Sequence, residues 1–151
     1  MSSESLKSLK SLHGQSVAVL ACPGYQELEF WYPVFRAREE GATVAIVSSS
    51  ETCESFLGYP VIGDTEASAV DVPGLAALIV PGTVEGLPAA SEAQRELIKA
   101  VHAAGGKVFA SGSGVALVKE AVGEEPVAGR SVAGPDELPA LVRSLLAELA
   151  G

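Results

Sequence analysis

The stretch from Lys107 to Leu117 constrains this chain more than any other. A short apolar run, Val108-Phe109-Ala110, stops at Ser111-Gly112-Ser113-Gly114, and helix-compatible apolar spacing restarts straight after it. That pattern predicts a buried strand passing through a tight turn into a helix. In a parallel α/β sheet such a turn lies at the carboxyl edge, where ligands and catalytic groups gather.

The rest of the chain supplies partners for such a strand. Ser16 to Ala21, Thr43 to Val47 and Leu75 to Val80 are further apolar runs, ended by Cys22-Pro23-Gly24, the serines after Val47 and Pro81-Gly82-Thr83. Glu27 to Glu40 reads as a helix, with Leu28, Trp31, Tyr32 and Phe35 at three- and four-residue intervals. Pro33 should sit near its first turn or kink it. Glu92 to Ala104 reads as an amphipathic helix with Ser91 as its N-cap. Gly58 to Asp64 has the content of a small edge ribbon, and Pro126-Val127-Ala128 is a weak strand candidate. Pro135-Asp136-Glu137 opens a last helix striped by Leu138, Leu141, Val142, Leu145, Leu146 and Leu149. This alternation predicts an α/β fold: a single-domain three-layer sandwich, mainly a parallel sheet with helices on both faces.

Residues 1–15 form a separate leader, with the domain over 16–151. Leu6, Leu9 and Leu12 would lie along one side of a helix too short to hold alone. It is read either as frayed or as docked on the domain.

Composition narrows the function classes. A net charge of −9 repels phosphate backbones and anionic membranes, so neither nucleic acid nor membrane is expected as a partner. No apolar run is long enough to span a bilayer, and Met1-Ser2-Ser3-Glu4 lacks the layout of a secretion signal. With only Cys22 and Cys53, too far apart for a metal or redox pair, the expectation is a cytoplasmic protein with reduced thiols. Asp64, Glu66 and Asp71 do not have metal-ligand spacing, and no G-x-G-x-x-G or P-loop lysine is present, so neither metal nor cofactor is expected.

With those residues placed, the chain resembles the ThiJ/PfpI superfamily, a flavodoxin-like group of intracellular proteases, glyoxalases and deglycases. Three stretches carry the likeness: Gly24 to Pro33, Gly58 to Val61 together with Leu78 to Gly82, and Gly106 to Gly114. The resemblance implies that Glu29 stands at the family's active-site glutamate and Ser113 at its nucleophilic cysteine. Gly114 stands where protease-like members carry a histidine, and Thr83 where a second turn glycine is usual. The region from Val122 to Gly134 is shorter than the family's. The resemblance also implies a homodimer, with Phe30, Trp31 and Tyr32 offering aromatic area near the first helix.

The candidate catalytic pair is therefore Ser113 with Glu29, with a protonated Glu29 carboxyl donating to the Ser113 hydroxyl. Gly82, Thr83, Gly112, Gly114 and Cys22 are candidate ligand-binding positions, since unhindered amides at a helix start attract anions. Serine needs a positioned base, and of the two histidines His13 lies in the leader and His102 in line with polar helix positions. Cys22 ends the first strand and either presents its thiol to this pocket or packs. Cys53 is a weak candidate for an exposed redox site. Two functions follow: a diverged, non-catalytic module that binds a small anionic or carbonyl ligand or serves in stress, or a hydrolase or glyoxalase using Ser113 or Cys22 with Glu29.

Overall fold

In the computed structural model, which describes residues 11–150, the chain builds a five-stranded sheet and a separate two-stranded ribbon. The elements in order are β1 (Ser16–Ala21), α1 (Glu27–Glu39), β2 (Thr43–Ser48), β3 (Thr52–Glu54), β4 (Pro60–Ile62), β5 (Leu75–Val80), α2 (Glu92–Ala103), β6 (Val108–Ser111), α3 (Gly114–Val122), β7 (Ser131–Val132) and α4 (Leu138–Ala150). The sheet order is β2-β1-β5-β6-β7, and every pairing in it is parallel. Counting only its own strands, this is the flavodoxin-like order, with its switch point between β1 and β5.

Strand alternation divides the core into two layers. Ile46, Val19, Ile79 and Phe109 are neighbours across the sheet and pack against α1 and α4 through Phe30, Val34, Leu138, Leu141 and Leu145. Leu20, Val47, Leu78, Val80 and Ala110 face the other way, onto Leu97, Ile98 and Val101 of α2 and Leu117 and Val118 of α3. Both faces are covered, which is why these strands read as unbroken apolar runs.

Local signals behave as their chemistry dictates. Ser91 caps α2 in a reciprocal box with Gln94. Pro33 lies inside α1 and is buried in the core, and the helix continues through it. Leu12 is fully buried and its N–H bonds the carbonyl of Glu40 at 2.9 Å, so the end of the leader docks. Leu6 and Leu9 lie outside the described residues.

Three expectations need correction. The last strand is Ser131–Val132 rather than residues 126–128, and Val127 is 53% exposed. Arg130 fixes that register: it grips Glu148 of α4 through three hydrogen bonds and stands 5.9 Å over the Phe109 ring. The ribbon pairs β4 with β3, a strand the sequence did not announce. Phe30 is fully buried and unavailable as interface area.

Candidate functional site at the strand-to-helix elbow

Four chain segments meet at the carboxyl edge beside the switch point. The first is the start of α1. Gln26 caps it by accepting from the Glu29 N–H at 2.8 Å, and its own N–H bonds the carbonyl of Gly82 at 3.0 Å. The cap ties α1 to the turn leaving β5. Glu29, in the first helical turn, is thereby directed inward and is only 4% exposed.

The cost of burying that carboxyl is offset by two donors. Glu29 Oε1 accepts from the Gly82 N–H at 2.8 Å and from the Ser111 hydroxyl at 3.0 Å. One oxygen thus joins α1, the turn after β5 and the end of β6. The Glu29–Ser113 hydrogen bond expected from the sequence is absent, and Ser111 takes that position. Ser111 was missed because a serine closing an apolar strand reads as the start of the turn; its only signal was its place two residues before Ser113.

Ser113 is engaged elsewhere. Its Oγ accepts from the Thr83 N–H at 2.8 Å and donates to the Thr83 carbonyl at 3.1 Å. The hydroxyl therefore clips the β5 turn to the start of α3. It does not cap its own helix. Thr83 in turn donates its hydroxyl to the carbonyl of Gly86 at 2.6 Å.

Gly112 holds the position in this turn that faces the acid. Its φ is +54°, in the left-handed region, and a Cβ there would stand 2.6 and 2.7 Å from the two oxygens of Glu29. A strand-to-helix elbow presents the side chain of its strained residue, and here that residue has none. Ser113, the position matched by resemblance to the cysteine, has an ordinary helical backbone with φ −68°. Gly82 and Gly114 are glycine for want of room. A Cβ on Gly82 would lie 2.6 Å from the Ser113 nitrogen, and one on Gly114 would overlap the Val80 carbonyl.

Neither cysteine nor histidine joins this group. Cys22 is buried with its thiol donating to Gln94 Oε1 of α2 at 3.5 Å, in the opposite helical layer. Burial pushes its pKa up to about 12. Cys53 is buried in β3, not exposed, and burial pushes it to about 11. Both are thiols at neutral pH, the unreactive form. His102 Nε2 lies 3.7 Å from Glu124 on the surface. Gln94, fully buried and unsuspected as a tie, also donates to the carbonyls of Ala21 and Val47.

The raised Cys22 pKa predicts a pH effect on stability. The folded state keeps its proton where the unfolded thiol, with its ordinary pKa of 9.0, has lost it. The Cys22 contribution is therefore complete below pH 9 and is lost as pH rises toward 12. Urea midpoints for wild type and Cys22→Ser, measured from pH 7 to 10.5, should converge on the alkaline side. A constant gap would contradict the raised pKa. Thiol reagents at neutral pH should modify the native protein only as fast as it opens.

Just outside the elbow, a cleft of about 180 Å³ is lined by Pro23, Gly24, Phe56, Thr83, Glu85 and Leu87, and Thr83 is common to cleft and elbow. Among the described residues no helix is long and apolar enough to cross a membrane.

Comparison with known proteins bears on the fold and the family. The sequence profile of the DJ-1/PfpI family matches residues 15–139. An uncharacterized protein of Archaeoglobus fulgidus is 40% identical over 67 residues, 44% of this chain and 40% of that one, so the match spans well under half of that relative. A DJ-1 superfamily protein of Salmonella typhimurium superposes with a TM-score of 0.75 at 22% identity, over 89% of this chain and 90% of its own. A two-domain protein of Anabaena variabilis, with DJ-1/ThiJ/PfpI-like and ferritin-like domains, superposes with a TM-score of 0.63 at 18% identity, over 71% of this chain and 32% of its own. With the profile spanning most of its length, the chain belongs to the DJ-1/PfpI family.

Proposed function

We propose that this chain is a diverged member of its family that binds a small anionic or carbonyl-bearing ligand at the elbow and performs no nucleophilic catalysis there. The observation that carries this reading is Gly112: the residue aimed at Glu29 has no side chain with which to attack. The alternative, a hydrolase or glyoxalase using Ser113 or Cys22, lacks support on both counts. The Ser113 hydroxyl is occupied by the Thr83 main chain and has no base beside it, and the Cys22 thiol faces α2. What remains is an inward acid, a half-buried turn and a helix start, the components of a binding site.

Methylglyoxal turnover and peptidase assays on wild type and Ser113→Ala provide the test. Background rates in both are expected. Turnover by wild type that disappears in the variant would overturn the reading.

We also propose a homodimer through the outer side of α1 and the ribbon. Leu28, Phe35, Leu57 and Tyr59 are between 52% and 68% exposed there. The ribbon tip is tied to the start of α1 by the Leu57 N–H on Glu27 Oε2 at 2.9 Å. Light scattering should give twice the chain mass for wild type and the monomer mass for Phe35→Glu combined with Leu57→Glu. An unchanged mass would place the interface elsewhere.

A further inference from the structure

The carboxyl at the elbow is only half used. Glu29 Oε1 takes both donors that reach the group, the Gly82 N–H and the Ser111 hydroxyl, and Oε2 has no partner although the side chain is buried. Every enclosed side-chain oxygen among the described residues has a hydrogen-bond partner, so Oε2 opens onto accessible space. Gly112 keeps that side open: its Cβ, if it had one, would stand 2.7 Å from Oε2.

Two donors stand idle next to it. The N–H groups of Ser113 and Gly114, at the start of the nine-residue α3, have no acceptor among the described residues. Ser113 N and Glu29 Oε1 lie 2.6 and 2.9 Å from the point that a Gly82 Cβ would occupy, so the carboxyl and the helix start border one small space. Building on the reading of the elbow as a binding site, we propose that it holds an uncharged primary carboxamide and leaves it intact. The ligand's N–H donates to Glu29 Oε2, and its carbonyl accepts from the Ser113 and Gly114 N–H groups.

The unmet groups are one acceptor and two donors, and a single planar amide answers them together. A carboxylate ligand satisfies the donors but sets its own lone pairs against Oε2. An alkylammonium satisfies Oε2, leaves both main-chain donors unmet and brings positive charge to the positive end of a helix. A zwitterionic amino acid places three ammonium donors on one free carboxyl oxygen, and each buried donor left unmet costs free energy. An aldehyde has no N–H to give Oε2.

The tail of the ligand is constrained as well. The cleft of about 180 Å³ that shares Thr83 with the elbow is walled by Pro23, Phe56 and Leu87, with Glu85 its only charged lining residue. Phe56 and Leu87 are half-buried there and offer apolar surface. The volume is below the roughly 300–1,000 Å³ of sites for drug-sized molecules, so the tail is a short alkyl group.

The experiment is a residue-resolved NMR titration of the whole chain with isobutyramide, isobutyrate, isobutylamine, valine and isobutyraldehyde in separate arms, all carrying a short branched tail. Saturable shifts at Glu29, Ser113 and Gly114 are expected with isobutyramide, and binding weaker by about tenfold or more with the other four. In Glu29→Gln the Gly82 and Ser111 donors hold the new side-chain oxygen at the Oε1 position, so an NH2 group replaces Oε2. Isobutyramide should then bind about tenfold more weakly and isobutyrate become the tighter ligand, a reversal that loss of packing would not produce. Leu87→Trp, on the half-buried cleft wall, should abolish the isobutyramide shifts, and the dispersed spectrum of each variant reports that it is folded. Elbow shifts with isobutyrate or isobutyraldehyde in place of isobutyramide would overturn the carboxamide and leave the binding reading standing. Silence from all five would overturn both. Isobutylamine or valine binding as tightly as isobutyramide would overturn the carboxamide too. So would a Glu29→Gln variant that keeps the wild-type preference, or isobutyramide shifts that survive Leu87→Trp.

Discussion

Gly114→Ala is expected to cost about 4 kcal/mol or more and to leave little folded protein at 37 °C, the largest effect of a methyl added at any of the described glycines. The reason is the identity of what that methyl meets. A Cβ on Gly114 would overlap the Val80 carbonyl and lie 2.9 Å from the carbonyl group of Pro81. These are main-chain atoms at the end of β5, the central strand, which is held by β1 on one side and β6 on the other. A side chain could turn away; a sheet strand moves only by giving up its ladder. Against a typical total stability of roughly 5–15 kcal/mol this is a severe loss. Gly134→Ala is the control, because its φ of −175° suits any residue and nothing lies within 4 Å of the new atom. Chemical denaturation should show Gly134→Ala within about 0.5 kcal/mol of wild type. A folded Gly114→Ala with a near-native midpoint would mean that α3 does not start against β5 as described.

Gly112→Ala is expected to cost about 3 kcal/mol, by two separable routes. An L-residue at φ +54° carries roughly 1–2 kcal/mol of backbone strain. The new methyl would also sit 2.6 Å from Glu29 Oε1 and displace the carboxyl from the Gly82 amide and the Ser111 hydroxyl. Losing such buried hydrogen bonds adds about 1–3 kcal/mol. The two routes separate in a double-mutant cycle. In a Glu29→Ala background the collision is gone and only the strain remains, so Gly112→Ala should cost at least about 1 kcal/mol less there. Additive effects would show that the acid does not rest on the elbow. Glu29→Gln, which keeps an oxygen for both donors, should be milder than Glu29→Ala.

Much of this architecture was legible in the chain itself. Ser16–Ala21 and Leu75–Val80 are strands with the bounds that their apolar runs and terminating residues indicate. Ser91 caps the helix it was expected to cap. These features depend on neighbours a few residues apart, so periodicity and capping chemistry define them locally. The last strand was not legible. Pro126-Val127-Ala128 has better strand composition than Ser131-Val132, but Arg130 can reach Glu148 and the Phe109 ring only when the chain pairs at Ser131. Composition proposes a strand; a distant anchor chose its register.

The site divides along the same line. Sequence alone determined that an acid in the first turn of α1 and a glycine-serine turn after β6 would come together at one edge of a parallel sheet, because the βαβ connection permits no other edge. Which atoms touch was decided by tertiary structure. The φ of Gly112 and the pairing of β5 with β6 direct Glu29 to Ser111 and Gly82, and direct Ser113 to Thr83. Along a strand-turn-helix, one residue of shift rotates every side chain onto a different neighbour, and that rotation is set by a backbone angle and a packing distance that no run of letters encodes.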